Sequence, residues 1–321
     1  MKLAIVCSAH GFGHLTRQLA LAEVMREHGV DPTIFSAAPR SIAEATLPSP
    51  QLVPWTVDVG LAQRDSLSVD LDETVRRLDE VCCEDRIDEL ARQLSGFDRV
   101  VVDIAPAGLE AARRAGVEAL AVGNFEWAWL YGHYPELRTW AERFRTWQRA
   151  HVGLELAPGP GLYDFDKIER YGVIARSRSP HSLPPGSVLV SFGGFGLEDL
   201  SARLPELAGV TWVLSPPMPR LDRPDCLWVE GVPYPALVAG ADLVLTKPGY
   251  GIIAEALAAG TPITWLGRRD FPEAASLVAV LEARGDRPFR EGNDMDDLTG
   301  ARRAVVELDT RRLAERLLTG G

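Results

Sequence analysis

Lysine is nearly missing from this chain: only Lys2, Lys167 and Lys247 stand among 34 basic residues. Against 45 acidic residues, the formal net charge is −11. No basic excess remains to neutralise phosphates, so nucleic acid is not an expected partner. Net charge does not favour an anionic membrane surface either. Cysteine is equally sparse. Cys7, Cys82, Cys83 and Cys226 form no C-x-x-C pair, which argues against a disulfide framework or a zinc site. A reducing cytoplasm is the expected compartment. The apolar run after Lys2 reaches only Ala9, so no integral membrane segment is expected.

Several motifs are also missing. There is no G-x-x-x-x-G-K-[ST], no H-E-x-x-H and no G-x-S-x-G. Gly11-Phe-Gly13 lacks the third glycine of a dinucleotide fingerprint, and the second expected strand ends in Ser36 instead of an acidic residue. Three D-x-D triplets occur, at Asp70/Asp72, Asp164/Asp166 and Asp294/Asp296. None follows an apolar strand, so no metal site and no cofactor is expected.

What is present is ordinary globular composition, 46% apolar and 25% charged over 321 residues, enough for two domains. Leu3 to Cys7 is a short apolar run, as in a strand buried on both faces. His10 to Gly13 reads as a tight loop, followed by a helix from about His14 to Gly29 and a strand at Thr33 to Ser36. A charged helix is expected over Asp72 to Leu94. Further strands are expected at Arg99 to Asp103, Glu118 to Val122 and Tyr171 to Ala175. Breaks fall at Ala157–Gly161 and Ser182–Gly186. After Gly186 the alternation restarts with a strand at Ser187 to Phe192 and a second glycine loop, Gly193-Gly194-Phe-Gly196. A strand at Leu243 to Thr246 leads through Pro248–Gly251 into a helix at Ile252 to Ala259. The pattern predicts an α/β chain of two Rossmann-like parallel-sheet domains facing a cleft: residues 1–160, a linker at 161–185, and residues 186–321. The final helix, Thr310 to Leu318, is placed to pack back on the first domain.

The segment Lys247-Pro-Gly249-Tyr-Gly251-Ile-Ile-Ala-Glu255 carries the most chemistry. A helix N-terminus entered through glycines offers free backbone N–H groups to a diphosphate. Glu255 stands about one turn in, where its carboxylate can accept ribose hydroxyls. This segment resembles the nucleotide-binding segment of GT-B glycosyltransferases of the family 28 type. More narrowly, the chain resembles the glycosyltransferase-like domain that precedes the kinase in plant L-arabinokinases. The motifs that carry this are His10-Gly-Phe-Gly13-His14-Leu-Thr-Arg17, Val102-Asp103-Ile-Ala-Pro106, Asn124-Phe-Glu-Trp127 with Tyr131, Ser191-Phe-Gly-Gly194, Lys247 to Pro262, and Arg268-Arg269-Asp270-Phe271 with Glu273. No sugar-kinase segment is matched, so kinase activity is not implied.

The resemblance implies a GT-B fold and a metal-independent, inverting glycosyltransferase. Its donor would be a nucleotide sugar and its acceptor a small molecule, glycan or lipid. His14 is the expected base in the acceptor-side domain. Gly13, Gly193, Gly194, Lys247, Gly249, Gly251 and Glu255 are the expected nucleotide and diphosphate contacts. His10, Asp103, Trp127, Arg268, Asp270 and Glu273 are the expected contacts of donor sugar or acceptor. Each has a plainer reading. His14 and Asp103 can serve as helix caps, or Asp103 can orient a histidine. Trp127 can be core. Asp270-Phe-Pro-Glu273 has capping-box spacing. A nucleotide-sugar hydrolase or epimerase, and a non-catalytic nucleotide- or sugar-binding module, are the rival functions. Oligomeric state is not legible.

Overall fold

The computed structural model describes residues 1–62, 69–192, 200–267, 271–290 and 302–319. The chain divides into two units. The first is Met1–Ile174 with Leu308–Gly321, and the second is Ala175–Glu307.

The first unit runs β1 (Leu3–Cys7), α1 (Phe12–Glu27), β2 (Thr33–Phe35), α2 (Arg40–Glu44), β3 (Leu52–Val53), α3 (Leu71–Val81), α4 (Glu84–Leu94), β4 (Arg99–Asp103), α5 (Pro106–Ala115), β5 (Glu118–Gly123), α6 (Trp127–Tyr131), α7 (Arg138–Gln148), β6 (Val152–Leu156) and β7 (Lys167–Tyr171). Its strands are parallel, in the order β3-β2-β1-β4-β5-β6-β7. The second unit runs β8 (Ser187–Ser191), α8 (Leu200–Arg203), β9 (Thr211–Leu214), β10 (Cys226–Trp228), α9 (Tyr234–Gly240), β11 (Leu243–Thr246), α10 (Tyr250–Ala259), β12 (Ile263–Trp265), α11 (Glu273–Ala283) and β13 (Arg287–Pro288). Its strands are also parallel, in the order β10-β9-β8-β11-β12-β13. The helix α12 (Thr310–Leu318) belongs to the first unit and packs on α1.

Both orders are those of a doubly wound Rossmann-like sheet. Such a sheet leaves a crevice where the strand order reverses, at the carboxyl ends of the strands. The reversal falls between β1 and β4 in the first unit and between β8 and β11 in the second. All five residues of β1, β4 and β8 are buried, as continuous apolar runs in a covered parallel sheet require.

The expected helix over Asp72 to Leu94 is two helices. Cys82 and Cys83 separate them, with Cys83 in extended backbone (φ −72°, ψ 159°). The reason is phase. Thr74 and Leu78 mark the buried stripe of α3, whereas Ile87, Leu90, Ala91 and Leu94 mark that of α4. At 3.6 residues per turn the second stripe is about half a turn out of step with the first. One straight helix would turn Asp85 and Arg92 inward. The strands β3, β6 and β13 had no sequence expectation. The strand expected at Tyr171 to Ala175 lies earlier, at Lys167–Tyr171, inside the stretch read as linker. Val173 makes only an isolated bridge to Leu308.

Candidate active site

The first constellation gathers at the reversal between β1 and β4. Beyond β1 the chain turns at Gly11, whose φ of +81° suits glycine, and α1 starts at Phe12. Helix geometry then puts His14, Arg17 and Gln18 on one face, three to four residues apart. That face meets Asp103 at the end of β4. The His14 Nδ1 lies 2.9 Å from Asp103 Oδ1. Arg17 donates from Nη2 to Oδ1 at 2.6 Å and from Nε to Oδ2 at 2.7 Å. Gln18 donates to Oδ2 at 2.6 Å. Arg17 also donates to Asn124 Oδ1 at 2.6 Å, which ties the loop after β5 to the same cluster.

Burial alone would push the Asp103 carboxyl up. The Arg17 guanidinium and the hydrogen bonds from His14 and Arg17 outweigh it and hold the group at about 2. Asp103 is therefore an anion facing His14 Nδ1, which Arg17 Nη2 also approaches at 3.0 Å. In the tautomer that donates from Nδ1 to Asp103, the lone pair falls on Nε2. Among the described residues Nε2 has no hydrogen-bond partner, and about a tenth of the side chain is exposed. A base aligned by a buried carboxylate is the arrangement general-base chemistry needs.

A second buried carboxylate, Asp58, supports the floor of this site. It accepts from Ser8 Oγ at 3.0 Å and from Trp127 Nε1 at 2.8 Å, and burial raises its pKa. Trp127 meets His10 edge-on at 5.4 Å and tilts against His14 at 6.5 Å. Gly60 lets His10 fit, because a Cβ there would stand 2.2 Å from the His10 ring. The sequence reading missed Asp58, Gln18 and Asn124 as site residues and gave Arg17 no role.

In the second unit, Thr246 Oγ1 donates to the Ser191 carbonyl at 2.6 Å and pins the carboxyl ends of β8 and β11 together. Lys247 and Pro248 lead to Gly249, the N-cap of α10. Gly249 is extended (φ −154°) and makes no side-chain cap. A Cβ at Gly249 would meet nothing closer than 3.9 Å, so the glycine keeps the space before the helix open. The first amides of α10 are thus left without a side-chain cap. Gly251 is the second residue of α10. Glu255 is buried and bonded by Arg176, from Nε at 2.8 Å and Nη2 at 2.6 Å, both to Oε1. Burial raises the Glu255 pKa and Arg176 opposes the rise.

The structure thus brings His14, Asp103, His10 and Trp127 together in the first unit, and Lys247, Gly249, Gly251 and Glu255 in the second. Three expectations need correction. Asp103 is fully buried with both oxygens taken, and Trp127 is fully buried with its indole N–H bonded to Asp58, so neither offers a face to a sugar. Asp103 orients His14 instead, and Trp127 is core beneath it. Gly13 is the second residue of α1, not part of a loop before it. Glu273 is the buried first residue of α11, with Pro272 at the N-cap and no side-chain cap bond there. Gly193, Gly194, Arg268, Arg269 and Asp270 lie outside the described residues. Two of the D-x-D aspartates do structural work. Asp70 caps α3 through the Glu73 N–H, and Asp164 pairs with Arg145. Among the described residues no His, Cys, Asp or Glu group is arranged to hold a metal, and no helix is long and apolar enough to cross a membrane.

No protein-family model matches the chain. L-arabinokinase of Arabidopsis thaliana is 26% identical over 315 residues, covering 88% of this chain. The chain spans only about 30% of the length of that protein. Among solved structures, the spinosyn forosaminyltransferase SpnP superimposes with a TM-score of 0.59 at 16% identity, over 99% of this chain and 90% of that one. The glycosyltransferase SnogD from Streptomyces nogalater gives 0.59 at 18% identity, over 99% and 94%. The fold is that of GT-B glycosyltransferases, two Rossmann-like parallel-sheet domains.

Proposed function

We propose that this protein is a glycosyltransferase that moves a sugar from a nucleotide-sugar donor to an acceptor hydroxyl. The observation that carries the reading is the His14–Asp103 pair at the strand-order reversal of the first unit, with Nε2 of His14 unpartnered among the described residues. His14 Nε2 takes the acceptor hydroxyl proton as the oxygen attacks the anomeric carbon. Asp103 holds the ring in the working tautomer and stabilises the imidazolium that forms. Attack from the face opposite the leaving group inverts the anomeric carbon.

The nucleoside diphosphate leaves from the second unit. Charge developing on it is met by the amides at the start of α10 and by Lys247, and no metal is required. Glu255 accepts the ribose hydroxyls. The GT-B likeness and the distant likeness to L-arabinokinase support the class of reaction. Neither selects the sugar or the acceptor, which is a small molecule, a glycan or a lipid.

The test is His14→Ala. Turnover of the donor is expected to fall by about 10²–10⁴-fold. Nucleoside diphosphate binding, followed by calorimetry, is expected to stay unchanged. Normal turnover in the variant overturns the role of His14. Tight nucleotide binding by the wild type with no turnover of any donor overturns the enzyme reading and leaves a binding module.

A further inference from the structure

Arg176 stands in the stretch read from sequence as a linker, ahead of β8, yet it is 7% exposed and reaches Glu255, itself 5% exposed. An arginine fork facing a carboxylate commonly spreads its two bonds over both oxygens. Here both converge on Oε1, at 2.8 Å and 2.6 Å. Among the described residues nothing bonds Oε2. A buried carboxylate whose one oxygen is fully used and whose other is not has a built-in place for a donor from outside the chain.

The cation matters as much as the geometry. A carboxyl this deeply buried tends to take up a proton, which replaces an acceptor with a donor. Arg176 is the bonded counter-charge that opposes this, and Arg178 adds positive potential nearby. The other titratable group close by, Tyr234, is itself buried and neutral. A neutral Glu255 would offer ribose hydroxyls a poorer partner, because hydrogen bonds to a charged group are the stronger ones.

We propose that Arg176 is a positioning residue for nucleotide recognition: it occupies Oε1 of Glu255 and keeps Oε2 as the anionic acceptor for the 2′- and 3′-hydroxyls of the ribose. Specificity for ribonucleotide donors then depends on a residue that touches no part of the nucleotide. The inference rests on the reading of Glu255 as the ribose acceptor given above.

The experiment compares a nucleoside diphosphate with its 2′,3′-dideoxy form by calorimetry, using whichever of ADP, GDP, CDP and UDP binds. The wild type is expected to bind the ribose form about ten- to a hundredfold more tightly. Arg176→Met is expected to bring that ratio close to one and to leave dideoxynucleotide affinity nearly unchanged, because the diphosphate contacts remain. Glu255→Gln is expected to lower the ratio as well. Arg176→Lys is expected to keep part of it, since lysine supplies the charge without the fork. A full wild-type ratio in folded Arg176→Met overturns the role of Arg176 and leaves the Glu255 reading standing. A wild-type ratio of one overturns the Glu255 reading itself. Should Arg176→Met fail to fold, Arg176→Lys decides, and an unchanged ratio there overturns the proposal.

Discussion

Asp103 in the first unit has four polar contacts, two on each oxygen, whereas Glu255 in the second has two from Arg176, a hydrogen bond from Nε and an ion-pair contact from Nη2, both on Oε1. Each is buried, each is held by an arginine, and each sits near the strand-order reversal of its own sheet. The outcomes are opposite in sign. Burial raises both, but Arg17 and His14 bring Asp103 down to about 2, while Glu255 stays raised against Arg176 and Arg178. A carboxylate with every lone pair used acts only through its neighbours, so Asp103 works by holding His14. A carboxylate with an oxygen to spare is suited to meet a ligand. The difference supports the proposed division between an orienting Asp103 and a recognising Glu255.

The comparison breaks most readily at Asp103. Asp103→Ala removes the carboxylate that faces the buried Arg17 charge, and breaking such a buried pair commonly costs about 3–5 kcal/mol. Urea unfolding is expected to show that loss, and turnover is expected to fall as in His14→Ala. Binding of nucleoside diphosphate to the second unit should persist wherever the protein stays folded. An Asp103→Ala protein as stable as wild type would show that the four bonds contribute little.

Acid titration sharpens the contrast. Asp103 has a folded pKa of about 2 against an ordinary value of 3.8. Its contribution, about 2 kcal/mol, is fully present above the ordinary value and is lost as pH falls toward 2. Glu255 runs the other way. Its folded pKa is raised, so its contribution is present below the ordinary carboxyl value and is lost as pH rises through the folded one. Urea midpoints measured from acid to neutral pH are expected to show Asp103→Asn flattening the acid-side loss. Glu255→Gln is expected to flatten the loss on the less acidic side. The same slope in both variants would erase the distinction.

The smallest expected effect is none at all. In the proposed reading Lys247 and the first amides of α10 meet the leaving diphosphate, so EDTA is expected to leave turnover unchanged. Loss of turnover that magnesium or manganese restores would show that the leaving group is neutralised differently.

The parallel α/β class and the two strand-to-loop junctions were legible because apolar runs ended in glycine-bearing loops, as at Cys7–Gly13 and Thr246–Gly251. The partners of the key side chains were not. Arg17 and Gln18 lie on a helix buried nearly all round, where no polar face marks them. Asp58 stands in the irregular stretch Val57–Gly60, which has neither period. Arg176 looked like linker because its long-range bond to Glu255 has no local signature. The break at Cys82–Cys83 carries no glycine or proline, and only the slip in apolar phase betrays it. Trp127 and Tyr131 fit either core or ligand use from sequence. Burial assigns them to core, with the Tyr131 hydroxyl donating to the Gly60 carbonyl at 2.6 Å.

The return of α12 to the first unit sets an order in time. Leu313, Ala314 and Leu317 are fully buried, Arg311 pairs with Glu27 of α1, and Arg99 of β4 donates to the carbonyls of Leu317 and Thr319. These residues leave the ribosome only after all of Ala175–Glu307 has been made. The apolar side of α1 that α12 covers therefore stays open throughout synthesis of the second unit, although domains translated earlier generally fold earlier. In this chain the unit that begins first is completed last, and the His14-bearing helix is the one left waiting for its cover.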